Sequence, residues 1–222
     1  MKQNANLTSE IADRIAQRTM TQRGPDYAGE VRRLLDAALD VMRQCGTSSR
    51  PRVADIVAAA GLSNDAFYRH FPSKEALVAA LVEDGAHRLG SYLVHQMAKQ
   101  PTPEGQIRCW VEGVLSQTAE GIAATTAAVL WNGGSVGEGT ASGRHFASEP
   151  LTSPLKEPLA ALGSADPDLD ASLVAHATLG KMSDYLWKRT QPSPEEIDRI
   201  TAFCLAGVTG RRRRAIHKKG KS

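Results

Sequence analysis

Aromatic side chains are scarce in this sequence, and long hydrophobic runs are missing. Phe, Trp and Tyr make up 5% of the 222 residues, and runs of β-branched residues are short, which argues against a β-rich fold. No stretch of about 18 or more apolar residues occurs, so no segment is predicted to span a membrane. The N-terminus also lacks the apolar core of a secretory signal. These absences favour a helical protein of the cytoplasm.

Cysteine is equally sparse. The chain has three, Cys45, Cys109 and Cys204, which lie far apart in the sequence and form no CxxC pair. An odd number of scattered cysteines predicts reduced thiols rather than a disulfide framework. A redox-sensing cysteine is the alternative interpretation.

Motifs of catalysis and of metal binding are missing as well. The six histidines form no HExxH motif, and neither GxSxG nor the phosphate-binding GxxxxGK[ST] occurs. The glycine-rich run at 132–143 is therefore interpreted as a flexible loop. His145 and His176 stand alone, and a lone histidine is more often a core residue or a ligand hydrogen-bonder than a base. We expect no enzyme, no metal site and no cofactor.

What the sequence does contain is helical periodicity and unevenly distributed charge. With 41% hydrophobic and 23% charged residues the chain can form a folded core, and alanine-rich segments of 3.6-residue period predict an all-α protein. Residues 98–210 hold 8 basic and 13 acidic residues, whereas residues 211–222 hold seven basic residues and no acidic one. An anionic partner such as DNA would avoid the acidic region.

Residues 52–75 predict two short helices joined by a tight turn. Apolar residues recur at helical spacing over 53–60, and Gly61 follows where a helix end favours a left-handed residue. Ser63 offers a hydroxyl as N-cap of the second helix. Pro72 ends that helix, because its ring excludes the α region for the preceding residue.

A pair of helices bent at a glycine matches the helix-turn-helix of DNA-binding proteins, in which the second helix lies in the major groove. The second helix here carries small, polar and cationic residues on the side opposite its apolar residues. From Arg43 to Lys74 five residues are basic and two are acidic, which is the sign of charge that a phosphate backbone requires.

The segment GLSNDAFYRHFPSKEAL, residues 61–77, resembles the recognition-helix signature of the TetR family of bacterial transcriptional regulators. In that signature a Gly-hydrophobic-Ser opening leads to Tyr-x-(His/Tyr)-Phe and then to Lys-(Glu/Asp)-x-Leu. The match covers roughly Tyr27 to Leu93. Many members carry Gly or Pro in place of Asp65 and Thr in place of Ala66. Because these are base-reading positions, the difference changes the expected operator sequence and leaves the fold as expected.

The exposed side chains of the second helix suggest how bases are read. Asn64 can pair with adenine, Asp65 can accept a hydrogen bond from cytosine N4, and Arg69 can bind guanine or a phosphate. The alternative for Asp65 is that it only complements the helix dipole.

Phosphate contacts are expected around the first motif helix and beyond the second. Thr47, Arg50 and Arg52 lie beside the exposed amides of a helix N-terminus; an ordinary cap with a solvated arginine pair is the alternative. The resemblance implies further phosphate contacts at Tyr68, His70 and Lys74. The whole predicted DNA-binding set is Thr47, Arg50, Arg52, Ser63, Asn64, Asp65, Ala66, Tyr68, Arg69, His70 and Lys74.

The chain is predicted to have four segments: an N-terminal extension (1–26), a three-helix helix-turn-helix DNA-binding domain (27–73), a helical ligand-binding and dimerisation domain (74–210), and a basic C-terminal tail (211–222). The second domain begins with a connecting helix at 74–97. This helix is longer than a three-helix module needs, so it can act as a lever that a ligand would have to move.

Each end of the chain has two interpretations. Residues 7–20 predict a short amphipathic helix, and the extension is either a basic arm that reaches the minor groove or a partly disordered leader. The tail is predicted to be too polar to fold. It adds non-specific affinity for DNA, or it only makes the chain more soluble.

The second domain is expected to contain helices at 104–132, 144–162, 169–189 and 194–208. Pro150, Pro154 and Pro158 are expected to interrupt the helix at 144–162. The helix at 169–189 is apolar around most of its circumference, and such a helix has to be covered on two sides. The resemblance implies that the last two helices pack with those of a second chain as a four-helix bundle. The alternative is a fully intramolecular core.

The resemblance also implies a small-molecule cavity in the second domain. Its candidate lining consists of large aromatic, polar-tipped or soft side chains: Trp110, Trp131, His145, Phe146, Met182, Tyr185 and Trp187. Simple core packing is the alternative for each of them. A mainly apolar lining favours a hydrophobic or amphipathic ligand.

Together these features predict a homodimeric, ligand-responsive transcriptional repressor that binds double-stranded DNA at a near-palindromic operator. One alternative is an effector-independent DNA-binding or architectural protein. Another is a small-molecule binding protein whose DNA-binding module is vestigial.

Overall fold

Every regular element that the structure describes is helical, which confirms the all-α prediction. The structure is a computed structural model that describes residues 27–133 and 149–219, with side chains described as far as residue 207. Within these residues the α-helices are α1 (27–45), α2 (Val53–Ala60), α3 (Asn64–His70), α4 (Lys74–Met97), α5 (Pro103–Leu115), α6 (Ala123–Gly133), α7 (Glu149–Ala161), α8 (Pro167–Lys188) and α9 (Pro194–Lys219). A short 3-10 helix, Ser116–Thr118, follows α5.

The chain divides into two compact units. The first contains the described residues up to Val41 together with Pro51–Lys74, and the second contains Met42–Arg50 and the described residues from Glu75 onward. The division therefore falls inside α1 and at the first residue of α4. The predicted N-terminal extension, including the helix expected at 7–20, lies outside the described residues.

The first unit is built on a small apolar core shared by α1, α2 and α3. Leu34 and Ala38 of α1, Ile56 of α2 and Phe67 of α3 are all fully buried. Their spacing within each helix follows the 3.6-residue period, so one face of each helix turns inward. The opposite face of α3 is thereby left toward solvent.

The second unit has a larger core made mainly by α4, α5, α7 and α8. Its fully buried members include Leu93, Ile107, Trp110, Leu155 and Ala171. Two of these helices begin with a cap followed by proline: Thr102 Oγ1 accepts a hydrogen bond from Gly105 N at 3.1 Å, and Asp166 Oδ1 accepts one from Leu169 N at 3.0 Å. Proline suits the first helical position because its missing N–H would have no helical partner there.

Helix α7 shows that the prediction of a proline-interrupted segment is wrong. It continues without a break from Glu149 to Ala161, although Pro154 and Pro158, inside the helix, each remove one helical hydrogen bond. Buried leucines at a four-residue spacing hold this helix in the core, and this burial offsets the missing bonds. Pro150 lies in the first turn, where its missing N–H has no helical partner, and the buried leucines are Leu151, Leu155 and Leu159.

Helix α9 contradicts the expectation that the basic tail is too polar to fold. The helix continues to Lys219, well beyond its expected end at residue 208. Arg, Lys and Ala all have high helix propensity, and neither Gly nor Pro occurs over 211–219. Like-charge repulsion costs only a few tenths of a kcal/mol per pair in an exposed helix, so high propensity can outweigh it.

Length and hydropathy set a further limit on these helices. In the part of the chain that the structure describes, none of them is both long enough and apolar enough to cross a membrane.

Most of the glycine-rich run at 132–143 lies outside the described residues, and α6 reaches only its first two positions.

Candidate nucleic-acid interface

Local capping places α3 directly after α2. Gly61 ends α2 in the left-handed conformation, with φ of 63°, and Leu62 N donates back to Val57 O at 2.9 Å. Ser63 then caps α3, because its Oγ accepts a hydrogen bond from Ala66 N at 3.1 Å. The helix-turn-helix predicted from the sequence is therefore present, with the predicted glycine and serine at its turn.

One face of α3 presents polar side chains to solvent. Asn64, Asp65 and Arg69 are exposed, and Tyr68 is 57% exposed although it is a large aromatic residue. Ser63, at the start of this face, is exposed as well. An exposed row with one amide, one carboxylate, one phenol and one guanidinium offers both donors and acceptors to a nucleic acid.

Ala66 is a correction to the predicted DNA-binding set. Its side chain is only 3% exposed and packs in the core beside Phe67. The reason is that the side of α3 that packs on the first unit's core is wide enough to bury two consecutive residues, Ala66 and Phe67. No contact with a base is available to this methyl group.

His70 is a second correction. Its side chain is 1% exposed, and Nε2 lies 2.6 Å from Oε2 of Glu30 in α1. Because an ionised carboxylate only accepts hydrogen bonds, Nε2 carries the proton and donates. His70 thus joins α3 to α1 in the interior and is not placed to hold a phosphate.

The same carboxylate reaches Arg69. Glu30 Oε2 lies 3.6 Å from Arg69 Nη1, whose side chain is half-exposed. The hydrogen bond from His70, followed by the positive charges of Arg69 and Arg33, holds the pKa of Glu30 below its usual value. Glu30 is therefore an ionised group directly beside a candidate DNA-contacting arginine.

Tyr27 adds two contacts to the end of α3. Its hydroxyl donates to the backbone oxygen of Arg69 at 3.3 Å, and its ring meets the His70 ring edge-on, with centroids 4.1 Å apart. Sequence reasoning missed Tyr27 and Glu30 as contributors to this site. They lie about 40 residues before their partners, and no local spacing rule connects residues that far apart.

Arg52 has a role closer to the alternative interpretation of an ordinary cap. It stands at the start of α2, and its guanidinium binds Asp55 through Nη2–Oδ1 at 3.0 Å and Nε–Oδ2 at 3.1 Å. The backbone N of Arg52 also donates to Asp55 Oδ2 at 3.2 Å. These bonds lower the pKa of Asp55 and raise that of Arg52.

The remaining basic and hydroxyl candidates lie in different places. Lys74 Nζ donates to the backbone oxygen of Pro51 at 3.3 Å within the first unit. Thr47 is half-buried and Arg50 is exposed, and both belong to the stretch that groups with the second unit. A phosphate contact by any of these three stays a prediction.

Three of the predicted ligand residues are part of the second unit's core. Trp110 is fully buried, and its Nε1 donates to Leu151 O at 3.0 Å. Met182 and Tyr185 of α8 are also buried, and burial raises the pKa of the Tyr185 hydroxyl. These positions fit the alternative of simple core packing, and a ligand contact there stays a prediction.

The other described ligand candidates form an exposed pair. Trp131 of α6 and Trp187 of α8 meet edge-on with ring centroids 5.6 Å apart, and each is nearly half-exposed. His145 and Phe146 lie outside the described residues. The predicted ligand set is therefore not brought together around one cavity by the residues that the structure describes.

A small open cleft lies elsewhere in the second unit. It has a volume of about 190 Å³ and is lined by residues of α5, the 3-10 helix, the α8–α9 connection and α9. Its lining includes Leu115, Gln191 and Ile197, and it contains none of the predicted ligand residues. Small-molecule sites usually measure about 300–1,000 Å³, so this cleft is small for an effector.

Potential metal ligands and three thiols occur among the described side chains. No group of three or more His, Cys, Asp or Glu residues within those ranges is placed to hold a metal ion. All three cysteines are free, and burial raises the pKa of Cys109 and Cys204. A raised pKa lowers the thiolate fraction and with it the reactivity of these two thiols.

An apolar surface remains uncovered on the last two helices. Leu169, Leu173 and Trp187 of α8 are about half-exposed, and Phe203 of α9 is 72% exposed. Gly180 and Gly207 are also exposed on these helices, with open space where a Cβ would stand. Apolar residues with small neighbours allow two helices to approach closely.

Comparison with known proteins agrees with the helix-turn-helix formed by α2 and α3. Residues 34–81, which include α2, α3 and parts of α1 and α4, match the family model for bacterial regulatory proteins of the tetR family. No curated protein matches the chain at a significant level.

Several solved structures share the fold. The reduced form of NemR from E. coli is similar over 79% of this chain and 94% of its own length, with 16% identity and a TM-score of 0.60. RolR in complex with resorcinol is similar over 83% of this chain and 89% of its own length, with 17% identity and a TM-score of 0.57. FadR from Bacillus subtilis in complex with stearoyl-CoA is similar over 80% of this chain and 97% of its own length, with 15% identity and a TM-score of 0.56. At these identities the similarity concerns the fold.

Proposed function

We propose that this chain is a transcriptional regulator of the TetR family, whose family model its residues 34–81 match. It is a cytoplasmic repressor that binds a near-palindromic operator as a homodimer and leaves it when a small hydrophobic or amphipathic effector binds. The α3 helices of the dimer enter successive major grooves, about 34–36 Å apart.

The exposed face of α3 is the observation that carries this proposal. Asn64, Asp65, Tyr68 and Arg69 face solvent while Phe67 is buried, so the helix is oriented by its core and free to present polar groups. Asn64 and Asp65 are suited to base edges, and Tyr68 is suited to a backbone phosphate.

Selection of binding sites from random duplex DNA tests this assignment. Asn64→Ala should relax the preference at one operator position and cost about 1–3 kcal/mol in operator affinity, whereas Tyr68→Ala should weaken binding to all sequences. Tyr92→Ala is the matched control, because Tyr92 is a half-exposed tyrosine of the second unit. Unchanged operator titrations for both α3 variants would remove α3 from the interface.

The dimer is proposed to form through the exposed apolar surface of α8 and α9. A phenylalanine that is 72% exposed, as Phe203 is, gains free energy when a second chain covers it. Phe203→Asp should convert the dimer to a monomer in analytical ultracentrifugation, and Val94→Asp, at an exposed apolar residue of α4, should not. A wild-type chain that sediments as a monomer at micromolar concentration contradicts this part of the proposal.

The effector is proposed from the fold and from its relatives. RolR and FadR, which share this fold, have been solved with resorcinol and with stearoyl-CoA, and both ligands have a substantial apolar part. An effector that favours the DNA-free conformation would weaken operator binding through a coupling free energy of about 1–3 kcal/mol. A panel of lipophilic compounds should therefore include some that release operator DNA and quench tryptophan fluorescence at the same concentration.

The alternative is an effector-independent DNA-binding protein. The cleft described in the second unit, at about 190 Å³, is smaller than a typical effector site. The two functions differ in one observable: an effector-independent protein binds its operator equally well in the presence of every compound in the panel.

A further inference from the structure

We propose that Glu30 is a positioning residue for DNA recognition: it holds the last turn of α3 in place and keeps Arg69 from binding phosphates indiscriminately. This inference rests on the proposed function, since it assumes that α3 contacts DNA. Together with Tyr27, Glu30 forms what we call the α1 clamp.

The first part of the clamp is a buried hydrogen bond. His70 Nε2 donates to Glu30 Oε2 at 2.6 Å, and the histidine side chain is 1% exposed. The second ring nitrogen, Nδ1, is buried and has no hydrogen-bond partner. The only side-chain hydrogen bond described for the ring is therefore the one through Nε2, which ties the last residue of α3 to α1.

The second part of the clamp acts on the helix backbone. The last carbonyl groups of a helix lack partners within the helix, and α3 has only seven residues, too few to be stable without tertiary contacts. Tyr27 donates its hydroxyl to the Arg69 carbonyl and packs its ring edge-on against His70. The first turn of α1 thus gives the Arg69 carbonyl a hydrogen-bond donor and covers the last turn of α3.

The third part concerns the guanidinium of Arg69. It lies 3.6 Å from Glu30 Oε2 and is half-exposed, which is ion-pair range but longer than a hydrogen bond. The attraction is therefore weak enough for DNA to compete with it. A phosphate that draws Arg69 away must first offset the pull of Glu30, whereas a base edge within reach of the held guanidinium need not.

Because of this competition, Glu30 should increase the ratio of operator affinity to random-duplex affinity. It should do so mainly by lowering the affinity for random duplex DNA. Non-specific binding depends almost entirely on phosphate contacts, so a carboxylate that restrains an arginine weakens non-specific binding most. Counting charge along the sequence from Arg43 to Lys74 overlooks this effect, because Glu30 lies outside that stretch.

Glu30→Gln is the informative variant, because the amide oxygen can still accept from His70 Nε2 while the charge beside Arg69 is removed. Affinity for a random-sequence duplex should rise about two- to fivefold, the range expected for losing a half-exposed ion pair, with operator affinity nearly constant. The salt dependence of random-duplex binding should steepen by as much as about 0.9 in log–log slope, the value for one added phosphate contact.

A double-mutant cycle separates this role from a purely structural one. If Glu30 acts through Arg69, Glu30→Gln should have no effect on the random-duplex affinity or the salt slope of an Arg69→Ala protein. An equal effect in both backgrounds, or no change in the wild-type background, overturns the inference. If thermal unfolding shows that Glu30→Gln does not fold, Glu30→Asn, which also removes the charge beside Arg69 and keeps a shorter amide acceptor, is measured in the same cycle with the same expectation.

The wild-type protein serves as the first control. If it selects no sequence from random duplex DNA, the proposed function fails and this inference fails with it. If it selects an operator and Glu30→Gln keeps the same ratio of operator to random-duplex affinity, only the role of Glu30 is refuted.

Discussion

Helices α3 and α8 show two different ways in which this chain holds a helix in place. Helix α3 has seven residues and is fixed by its ends: Ser63 caps its start and the α1 clamp holds its last turn. Helix α8 has 22 residues, and nine of them are buried. The short helix combines one fully buried aromatic residue, Phe67, with polar contacts at both ends, whereas the long one depends mainly on apolar burial.

This difference explains why α3 exposes a row of polar side chains and α8 does not. A helix fixed at its ends can leave a whole face of polar residues in solvent, as α3 does with Asn64 and Tyr68. A helix fixed by burial turns one side of its surface inward, as α8 does with Met182 and Tyr185, and what it leaves exposed includes large apolar side chains such as Trp187. The comparison predicts that the second unit is sensitive to changes in packing and the first to changes in single polar groups.

The largest expected effect tests the packed core. Trp110→Ala removes a fully buried indole and its hydrogen bond to Leu151 O, and should lower the free energy of unfolding by about 3–5 kcal/mol. Urea unfolding followed by circular dichroism measures this loss. The control is Trp131→Ala, at a half-exposed tryptophan, which should cost about 1 kcal/mol or less.

Equal losses for the two tryptophan variants would mean that burial does not dominate the stability of the second unit. The three tryptophans, Trp110, Trp131 and Trp187, all lie in that unit. In the wild-type protein, tryptophan fluorescence therefore reports the unfolding of the second unit alone, whereas circular dichroism reports the helices of both.

Local signals made the first unit predictable. Gly61, Ser63 and Pro72 are residue types whose backbone or capping preferences act within a few positions, and the helix-turn-helix formed where they indicated. Burial of His70 was not predicted, because exposure of a residue on a seven-residue helix depends on contacts with a distant segment, here the first turn of α1.

The second unit was predictable only in outline. Apolar periodicity indicated its helices, including α8 and the continuous α4, but it did not reveal that buried leucines would keep α7 helical through its prolines. Periodicity also separates buried from exposed positions without showing whether a cavity lies among them. For this reason the aromatic ligand candidates were a list of residues rather than a site.

A close backbone approach in the second unit gives the next largest effect. In Gly90→Ala the added Cβ would stand 2.5 Å from the backbone oxygen of Pro150 in α7, too close for any real contact. Because a backbone oxygen cannot rotate away, we expect a loss of about 1–3 kcal/mol in the free energy of unfolding.

Gly85→Ala is the matched control in the same helix. A Cβ at Gly85 meets nothing within 4 Å, and replacing glycine by alanine inside a helix stabilises by roughly 0.5–1 kcal/mol. The two variants should therefore change stability in opposite directions. If Gly90→Ala is also stabilising, α4 and α7 do not pack as closely as described.

The cap of α3 should have a smaller effect on stability and a clear effect on DNA binding. Ser63→Ala removes the acceptor for Ala66 N and should cost about 1 kcal/mol. The unfolding transition of the second unit, followed by tryptophan fluorescence, should shift little in this variant, whereas operator affinity should fall. Ser63→Asp, which keeps a capping acceptor, should restore the stability, and a failure to do so would indicate that the hydroxyl matters for another reason.

The smallest expected effect depends on pH and concerns the α1 clamp. The folded-state pKa of Glu30 is lowered, first by the hydrogen bond from His70 and then by the charge of Arg69. A carboxyl group with a lowered pKa contributes stability above its unfolded-state pKa, and this contribution is lost as the pH falls through the folded-state value. The difference in unfolding free energy between wild type and Glu30→Gln should therefore shrink in acid. Lowered carboxyl pKa values in the second unit, such as that of Asp184 beside Lys181, are present in both proteins and cancel in the difference.

A difference that stays constant down to pH 3 would show that the ionised form of Glu30 does not hold α3. The α1 clamp of the first unit would then be a packing contact like those of the second.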